Sequence, residues 1–265
     1  MNEGTAATSR AADLARYYDL DLLDDPGDLA MYLALAARSD GRILELAAGS
    51  GRICVPLAAA GHHVTAVDNN PAMLDRARAA WARTDGAGRG GTLTLIERDL
   101  TTLHLSERFG LVIVALNSLL LLDGRAAQAR ALEVMRAHLA PEGRAVIDVW
   151  LPTPDDLALY DGVARLDWIR RDDETSERVA KSWSATYDEA TKRATVTVWF
   201  EAGTDAGAIE RVVRVDEISF VGASELIDLA RIAGLAPVTI AGDYDMTQLS
   251  DASERIVLVA RAAPA

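Results

Sequence analysis

The chain has 265 residues, of which 50% are hydrophobic and 25% charged, with a formal net charge of −13 and a single cysteine. That length buries a core without disulfide or metal staples, and the composition is too apolar for intrinsic disorder. An excess of 40 acidic over 27 basic residues argues against a surface that tracks nucleic-acid phosphates, while the lone Cys54 excludes an intrachain disulfide framework and fits a reducing compartment.

Met1 to Arg10 is polar and has no apolar segment of the kind that forms a signal peptide. The most apolar run, Leu111 to Leu122, is too short to span a bilayer and contains Asn117 and Ser118. A soluble, cytoplasmic protein without a membrane or nucleic-acid partner is therefore expected.

In chain order, Ala6 to Tyr18 has helical periodicity, and Asp28 to Arg38 reads as a second helix with Asp28 as N-cap. Arg42 to Ala47 suits a buried strand, Gly49 to Gly51 a tight turn, and Arg52 to Ala60 a helix closed by Gly61. His63 to Val67 is a strand closed by Asp68. Asn70-Pro71 then opens a helix to Arg83, with Asn as cap and Pro in the first turn. Asp85 to Gly91 is a glycine-rich connector. Thr92 to Glu97 and Leu111 to Leu116 are strands, Asp123 to Leu139 an amphipathic helix, Pro141 to Gly143 a turn, and Ala145 to Trp150 a strand. This alternation implies a parallel sheet covered by helices.

After Trp150 the pattern changes. Pro152 and Pro154 break the chain. Val163 to Arg170, Val179 to Tyr187, Ala194 to Glu201 and Ile209 to Phe220 then read as half-polar strands of an antiparallel meander, with turns at Asp188 to Arg193 and Gly203 to Gly207. The acidic stretch Arg171 to Glu174 reads as a solvated hairpin tip. Ser224 to Ala233 returns to helix, followed by strands at Pro237 to Ala241 and Ile256 to Ala260.

The chemistry concentrates in Glu45-Leu-Ala-Ala-Gly49-Ser-Gly51-Arg52, with Asp68 seventeen residues beyond Gly51. A strand, a glycine turn and a helix start place backbone N–H groups beside a ligand. An acid closing the second strand can accept hydrogen bonds from both hydroxyls of a ribose. A dinucleotide fingerprint fits less well, because Cys54 stands where its third small residue belongs.

The run Glu45-x-Ala47-x-Gly49-x-Gly51 resembles the first motif of the class I S-adenosylmethionine-dependent methyltransferases, with Ala47 in place of the first glycine. Val67-Asp68-Asn-Asn-Pro71-x-Met73-Leu74, Arg98-Asp99-Leu100 and Leu139-x-Pro141-x-Gly143 resemble that family's later elements, as do the last helix and hairpin. The resemblance implies an α/β fold: a Rossmann-like seven-stranded sheet, mostly parallel with one antiparallel strand near the edge, and an inserted antiparallel β meander. It divides the chain into an N-terminal helical lid (1–40), a cofactor-binding core (41–151 and 222–265) and the insert (152–221), which serves as a substrate wall or a homodimer contact.

Carried over residue by residue, the resemblance places Ala47, Gly49 and Gly51 along the methionine part of S-adenosylmethionine (S-adenosylhomocysteine after transfer), with Glu45 near its amino group. Asp68 holds the ribose, Asn69 and Met73 flank the adenine, and Asp99 and Leu100 bind its edge. Arg52 contacts the cofactor, or caps or pairs at the helix start. Asn117 faces the sulfonium and substrate or caps its loop. Tyr17 closes over the cofactor or packs on its helix. Asn117, Tyr17 and Trp150 are the candidates for the catalytic role.

His62, His63, His104 and His138 lack metal-ligand spacing, so no metal is expected. The reading is a small-molecule methyltransferase of natural-product tailoring type, acting by in-line transfer to nitrogen or oxygen with positioning as the main source of rate. The alternative is a protein of the same fold that binds the cofactor without transferring methyl, as a cyclase or binding partner.

Overall fold

The computed structural model describes residues 3–84, 86–203, 207 and 209–264. Asp85 of the expected glycine-rich connector and residues 204–206 of the expected Gly203–Gly207 turn lie outside these, as do Met1 and Asn2. The helices are α1 (Glu3–Asp21), α2 (Leu29–Ala37), α3 (Cys54–Ala59), α4 (Pro71–Ala82), α5 (Gly124–His138), α6 (Pro154–Ala158) and α7 (Ala223–Ile232). The strands are β1 (Ile43–Leu46), β2 (His63–Asp68), β3 (Thr92–Glu97), β4 (Phe109–Val114), β5 (Leu139–Trp150), β6 (Arg165–Arg171), β7 (Arg178–Asp188), β8 (Arg193–Gly203), β9 (Glu210–Ser219), β10 (Leu235–Ala241) and β11 (Arg255–Ala262). Two compact units result: Pro26–Leu151 with Val221–Ala265, and Met1–Asp25 with Pro152–Phe220.

The larger unit holds a seven-stranded sheet in the order β10-β11-β5-β4-β1-β2-β3. Its β1–β2, β2–β3, β1–β4 and β4–β5 pairs are parallel, and β11 runs antiparallel to both β5 and β10. This is the expected Rossmann-like arrangement. Every residue of β1 and β4 is buried, which is why these strands read as unbroken apolar runs. Ile43, Val64, Leu111, Ile113 and Val146 join Met31, Tyr32 and Leu57 in one cluster, so α2 and α3 cover the sheet here.

The sheet extends further at β5 than the sequence pattern suggests. The strand begins at Leu139, opposite Phe109, but its register jumps so that Leu111 faces Arg144. The expected turn at Pro141–Gly143 is this irregularity within the strand. His138, at the end of α5, is locked: its Nε2 accepts the Leu105 N–H at 2.9 Å, its Nδ1 lies 2.7 Å from the Val134 carbonyl, and burial lowers its pKa.

Asn70 caps α4 as expected, accepting from the Ala72 N–H at 3.0 Å with Pro71 in the first turn. Asp28 does not cap α2. Its backbone is helical and its side chain is taken by Arg52.

In the smaller unit α1 lies against the meander β6-β7-β8-β9, an antiparallel sheet. Tyr17 and Leu20 pack with Val179, Val198, Phe200, Ala202 and Val212. Lys181 pairs with Asp21 at 2.6 Å and Asp167 at 2.9 Å. The expected solvated hairpin tip is not solvated throughout: Asp172 is 2% exposed and pairs with Arg16. A short helix, α6, follows Pro152, where only a break was expected. Thr153 and Asp156 form its capping box and Pro154 its first turn.

Among the described residues, no helix is long and apolar enough to cross a membrane, and no group of three or more His, Cys, Asp or Glu could hold a metal ion.

Gly110 tests the sheet. Its N–H donates to the Arg42 carbonyl at 2.9 Å, and a Cβ there would sit 1.6 Å from the Asp40 carbonyl oxygen. Because backbone blocks the space, G110A must push β4 away from residues 40–42. A destabilisation of about 2–3 kcal/mol is expected from such overpacking, read as a lowered urea midpoint.

Candidate cofactor-binding site

The glycine turn leaves β1 through three left-handed residues, Ala47 (φ 57°), Gly49 (φ 56°) and Gly51 (φ 93°). The turn is stitched by the Ala48 N–H to the Val67 carbonyl (3.0 Å) and by the Gly51 N–H to the Ala48 carbonyl (3.1 Å). At Gly51 a Cβ would lie 2.8 Å from Val55 Cγ2 and 3.0 Å from Ala77 Cβ, so glycine permits the close passage of α4. Ala47 takes the left-handed conformation without being glycine, a strain of about 1–2 kcal/mol.

Asp68, half-buried at the end of β2, accepts the Gly49 N–H on Oδ2 and the Asn70 N–H on Oδ1, both at 2.8 Å. Each carboxylate oxygen retains a further lone pair, which suits a pair of ligand hydroxyls. Asn69 beside it is exposed and Met73, in the first turn of α4, is half-buried. Asp99, exposed beyond β3, accepts the Thr101 N–H and hydroxyl on Oδ1, each at 2.7 Å, and Leu100 is buried next to it. These residues follow the carboxyl ends of β1, β2 and β3, neighbours in the sheet. The strand order reverses between β1 and β4, the place where open α/β sheets bind ligands.

Glu45 gives the site its most unusual group. It is 2% exposed, and its Oε2 is buried with no hydrogen-bond partner among the described residues. Burial pushes its pKa up to about 8, against the opposing pull of Arg52 and of hydrogen bonding from Cys54. An unpaired buried acceptor is costly, and a ligand ammonium would satisfy it. Arg52 points elsewhere, pairing two-pronged with the fully buried Asp28, with Nη2 to Oδ2 at 2.7 Å.

After β4, Leu116 (φ 45°) and Asn117 (φ 65°) form a left-handed pair. The Asn117 side-chain oxygen accepts the Trp150 N–H at 2.6 Å, which ties the loop to the end of β5. Asn117 and Trp150 are thus brought together. Tyr17 belongs to the other unit. It is 2% exposed and stacks on Phe200 with ring centroids 4.9 Å apart. Burial pushes its pKa up to about 12, so its hydroxyl stays protonated at neutral pH.

Sequence reading missed Asp28 as the partner of Arg52 and missed Asp148 altogether. The second had a signal: an Asp between Ile147 and Val149 in an apolar strand is bound to be buried, and a buried carboxylate needs donors.

Two stability measurements check this geometry. A47G relieves left-handed strain but loosens the unfolded chain, so a net gain of up to about 1 kcal/mol is expected in urea unfolding. For Glu45 the folded pKa of about 8 lies above the model-peptide value of 4.5. Between those values the folded state holds a proton that the unfolded state has lost. Stability relative to E45Q should therefore fall as pH rises from 5 to 8, by at most about 1.4 kcal/mol per pH unit, and level off above that. A flat difference would show that Glu45 is not protonated in the fold.

Residues 43–143 match the family described as a methyltransferase domain. Uncharacterized proteins of Mycobacterium tuberculosis and Mycobacterium bovis are 44% identical over 59 residues, 22% of this chain. The chain spans only 21% of the length of those curated relatives in that match. The solved CcbJ methyltransferase from Streptomyces caelestis is 24% identical with a TM-score of 0.72, over 90% of this chain and 96% of that one. An S-adenosylmethionine-dependent methyltransferase from Clostridium acetobutylicum is 17% identical with a TM-score of 0.74, over 95% and 98%. A sugar N-methyltransferase from Streptoalloteichus sp. is 21% identical with a TM-score of 0.69, over 92% of each chain. Residues 43–143 thus resemble a methyltransferase domain, and the chain shares the fold of the solved S-adenosylmethionine-dependent methyltransferase.

Proposed function

We propose that this protein is an S-adenosylmethionine-dependent methyltransferase that modifies a small molecule, with an amine as acceptor ahead of a hydroxyl. The observation that carries the reading is the buried Glu45 Oε2, without a hydrogen-bond partner among the described residues, two residues ahead of the left-handed Ala47–Gly49–Gly51 turn. That pairing suits a ligand with an ammonium group at one end. Asp68 suits the hydroxyls of a ribose, and Asn69, Met73, Asp99 and Leu100 suit an adenine. Arg52 supports the site through Asp28.

When bound, S-adenosylmethionine supplies an electrophilic methyl on a sulfonium. The protein's share is to align the acceptor and exclude water. A neutral amine attacks without a base, whereas a hydroxyl usually benefits from one. His138 has both nitrogens engaged inside the core, which supports the amine. The sugar N-methyltransferase neighbour supports a tailoring role, with amino sugars first among acceptors. The buried Cys54 suits work in the reducing cytoplasm.

Calorimetry tests the pocket. S-adenosylhomocysteine should bind with micromolar affinity or better and NAD should not bind. Asp68→Ala should weaken the first by about 1–3 kcal/mol, the value of hydrogen bonds to a charged group. Unchanged affinity would remove Asp68 from the pocket. Incubation with labelled cofactor and a panel of amino-sugar, peptide and polyketide acceptors then separates a transferase from a protein that binds the cofactor alone.

A further inference from the structure

Asp148 lies inside β5 and is completely buried. A carboxylate in that position is costly unless donors surround it, and four do. Oδ1 accepts the Tyr32 hydroxyl and, at 2.9 Å, the Leu116 N–H. Oδ2 accepts the Tyr244 hydroxyl at 2.9 Å and Arg255 Nη1 at 3.0 Å. The Asp148 carbonyl accepts the Asn117 N–H at 3.3 Å. Arg255 also stacks over the Tyr244 ring, 4.2 Å from its centroid. One side chain thus gathers α2, the loop after β4, the loop after β10, and β11.

The loop after β4 is where this matters. Leu116 and Asn117 are consecutive non-glycine residues at positive φ, each costing about 1–2 kcal/mol. Such strain persists only where the surroundings over-determine it. Here the Leu116 N–H is held by the Asp148 side chain, the Asn117 N–H by the Asp148 carbonyl, and the Asn117 side chain by Trp150. The turn stands beside the glycine turn at the carboxyl ends of the adjacent strands β4 and β1.

We propose that Asp148 is a positioning residue, which holds the left-handed Leu116–Asn117 turn in the shape that ligand binding at the β1 and β4 ends requires. Tyr32, Tyr244 and Arg255 are its supports, and its effect on the ligand passes through the turn. The link to ligand binding rests on the S-adenosylmethionine-pocket reading; the hold on the turn does not.

The test uses the full chain with two variants, D148N and the milder Y244F. Asn keeps one acceptor but turns an N–H₂ toward one of the two donor pairs. Amide hydrogen exchange is measured along the chain, and S-adenosylhomocysteine binding by calorimetry. In D148N, exchange at residues 116–118 should rise tenfold or more while the centres of β1 and β4 stay protected, and affinity should fall tenfold or more. Y244F should shift both in the same direction by about twofold to fivefold, and it decides the matter if D148N does not fold. Exchange that rises uniformly, or not at all, at 116–118 would overturn the proposal, because a merely structural residue gives the first and an idle one the second. A local rise with unchanged affinity would overturn the link to the ligand. If the wild-type protein binds no S-adenosylhomocysteine, the pocket reading fails, and the exchange pattern still decides whether Asp148 holds the turn.

Discussion

The Asp68 carboxylate reaches back across the sheet to the Gly49 N–H and forward to the Asn70 N–H, at 2.8 Å each. Through these two bonds the end of β2 sets the shape of the turn that follows β1. The neighbouring bond from the Ala48 N–H to the Val67 carbonyl works in the same direction. Helix α4 then starts under the Asn70 cap and passes Gly51 at a distance only glycine allows. Glycine turn, carboxylate and helix start are therefore one mechanical unit. In the proposed pocket Asp68 would act on a ligand twice, by its own lone pairs and by the turn it holds, and bonds that share a carboxylate in this way do not contribute independently.

Three carboxyl groups of the larger unit show how environment assigns different work to one functional group. Asp68 is half-buried, fully hydrogen-bonded to backbone and still open to more partners. Asp148 is sealed but surrounded by donors. Glu45 is 2% exposed and keeps an oxygen with no hydrogen-bond partner among the described residues, so it favours the proton. Asp28 forms a fourth case, neutralised by Arg52. The global charge of −13 carries no information on these four, whose behaviour depends on burial and on the direction of a few donors.

The sheet was legible because its signals are local. Buried parallel strands such as Phe109–Val114 read as apolar runs, and Asn70-Pro71 states a helix start in two residues. Thr153-Pro-Asp-Asp156 also stated one, but the prolines read as a break because Pro at a first turn and Pro as a breaker look alike without the capping box. Partners distant in sequence left no such trace. Asp28 suited an N-cap by local rules, yet Arg52, 24 residues on, takes it. Asp172 sits in an acidic run that resembles a solvated tip, and Arg16, 156 residues away, draws it inside. The glycine turn after β1 was legible through its spacing; the donors around Asp148, spread from Tyr32 to Arg255, were not.

The non-glycine strain in the larger unit is concentrated where the strand order reverses. Ala47 follows β1, and Leu116 and Asn117 follow β4, all at positive φ. Left-handed turns direct N–H groups out of the sheet ladder, and here the protein itself accepts those of Ala48, Gly49, Gly51, Leu116 and Asn117. They also tend to relax, and the two turns are restrained in the same way. An aspartate at or near the end of the neighbouring strand accepts a backbone N–H from each: Asp68 from Gly49, and Asp148 from Leu116. The turns beyond β1 and β4 are shaped by carboxylates placed on β2 and β5, the strands that flank them. A substitution on a flanking strand can therefore reach the ligand without touching it, and the two aspartates separate the cases. Asp68 has lone pairs left for a ligand, and Asp148, with every oxygen engaged and no exposure, has only the turn to act through.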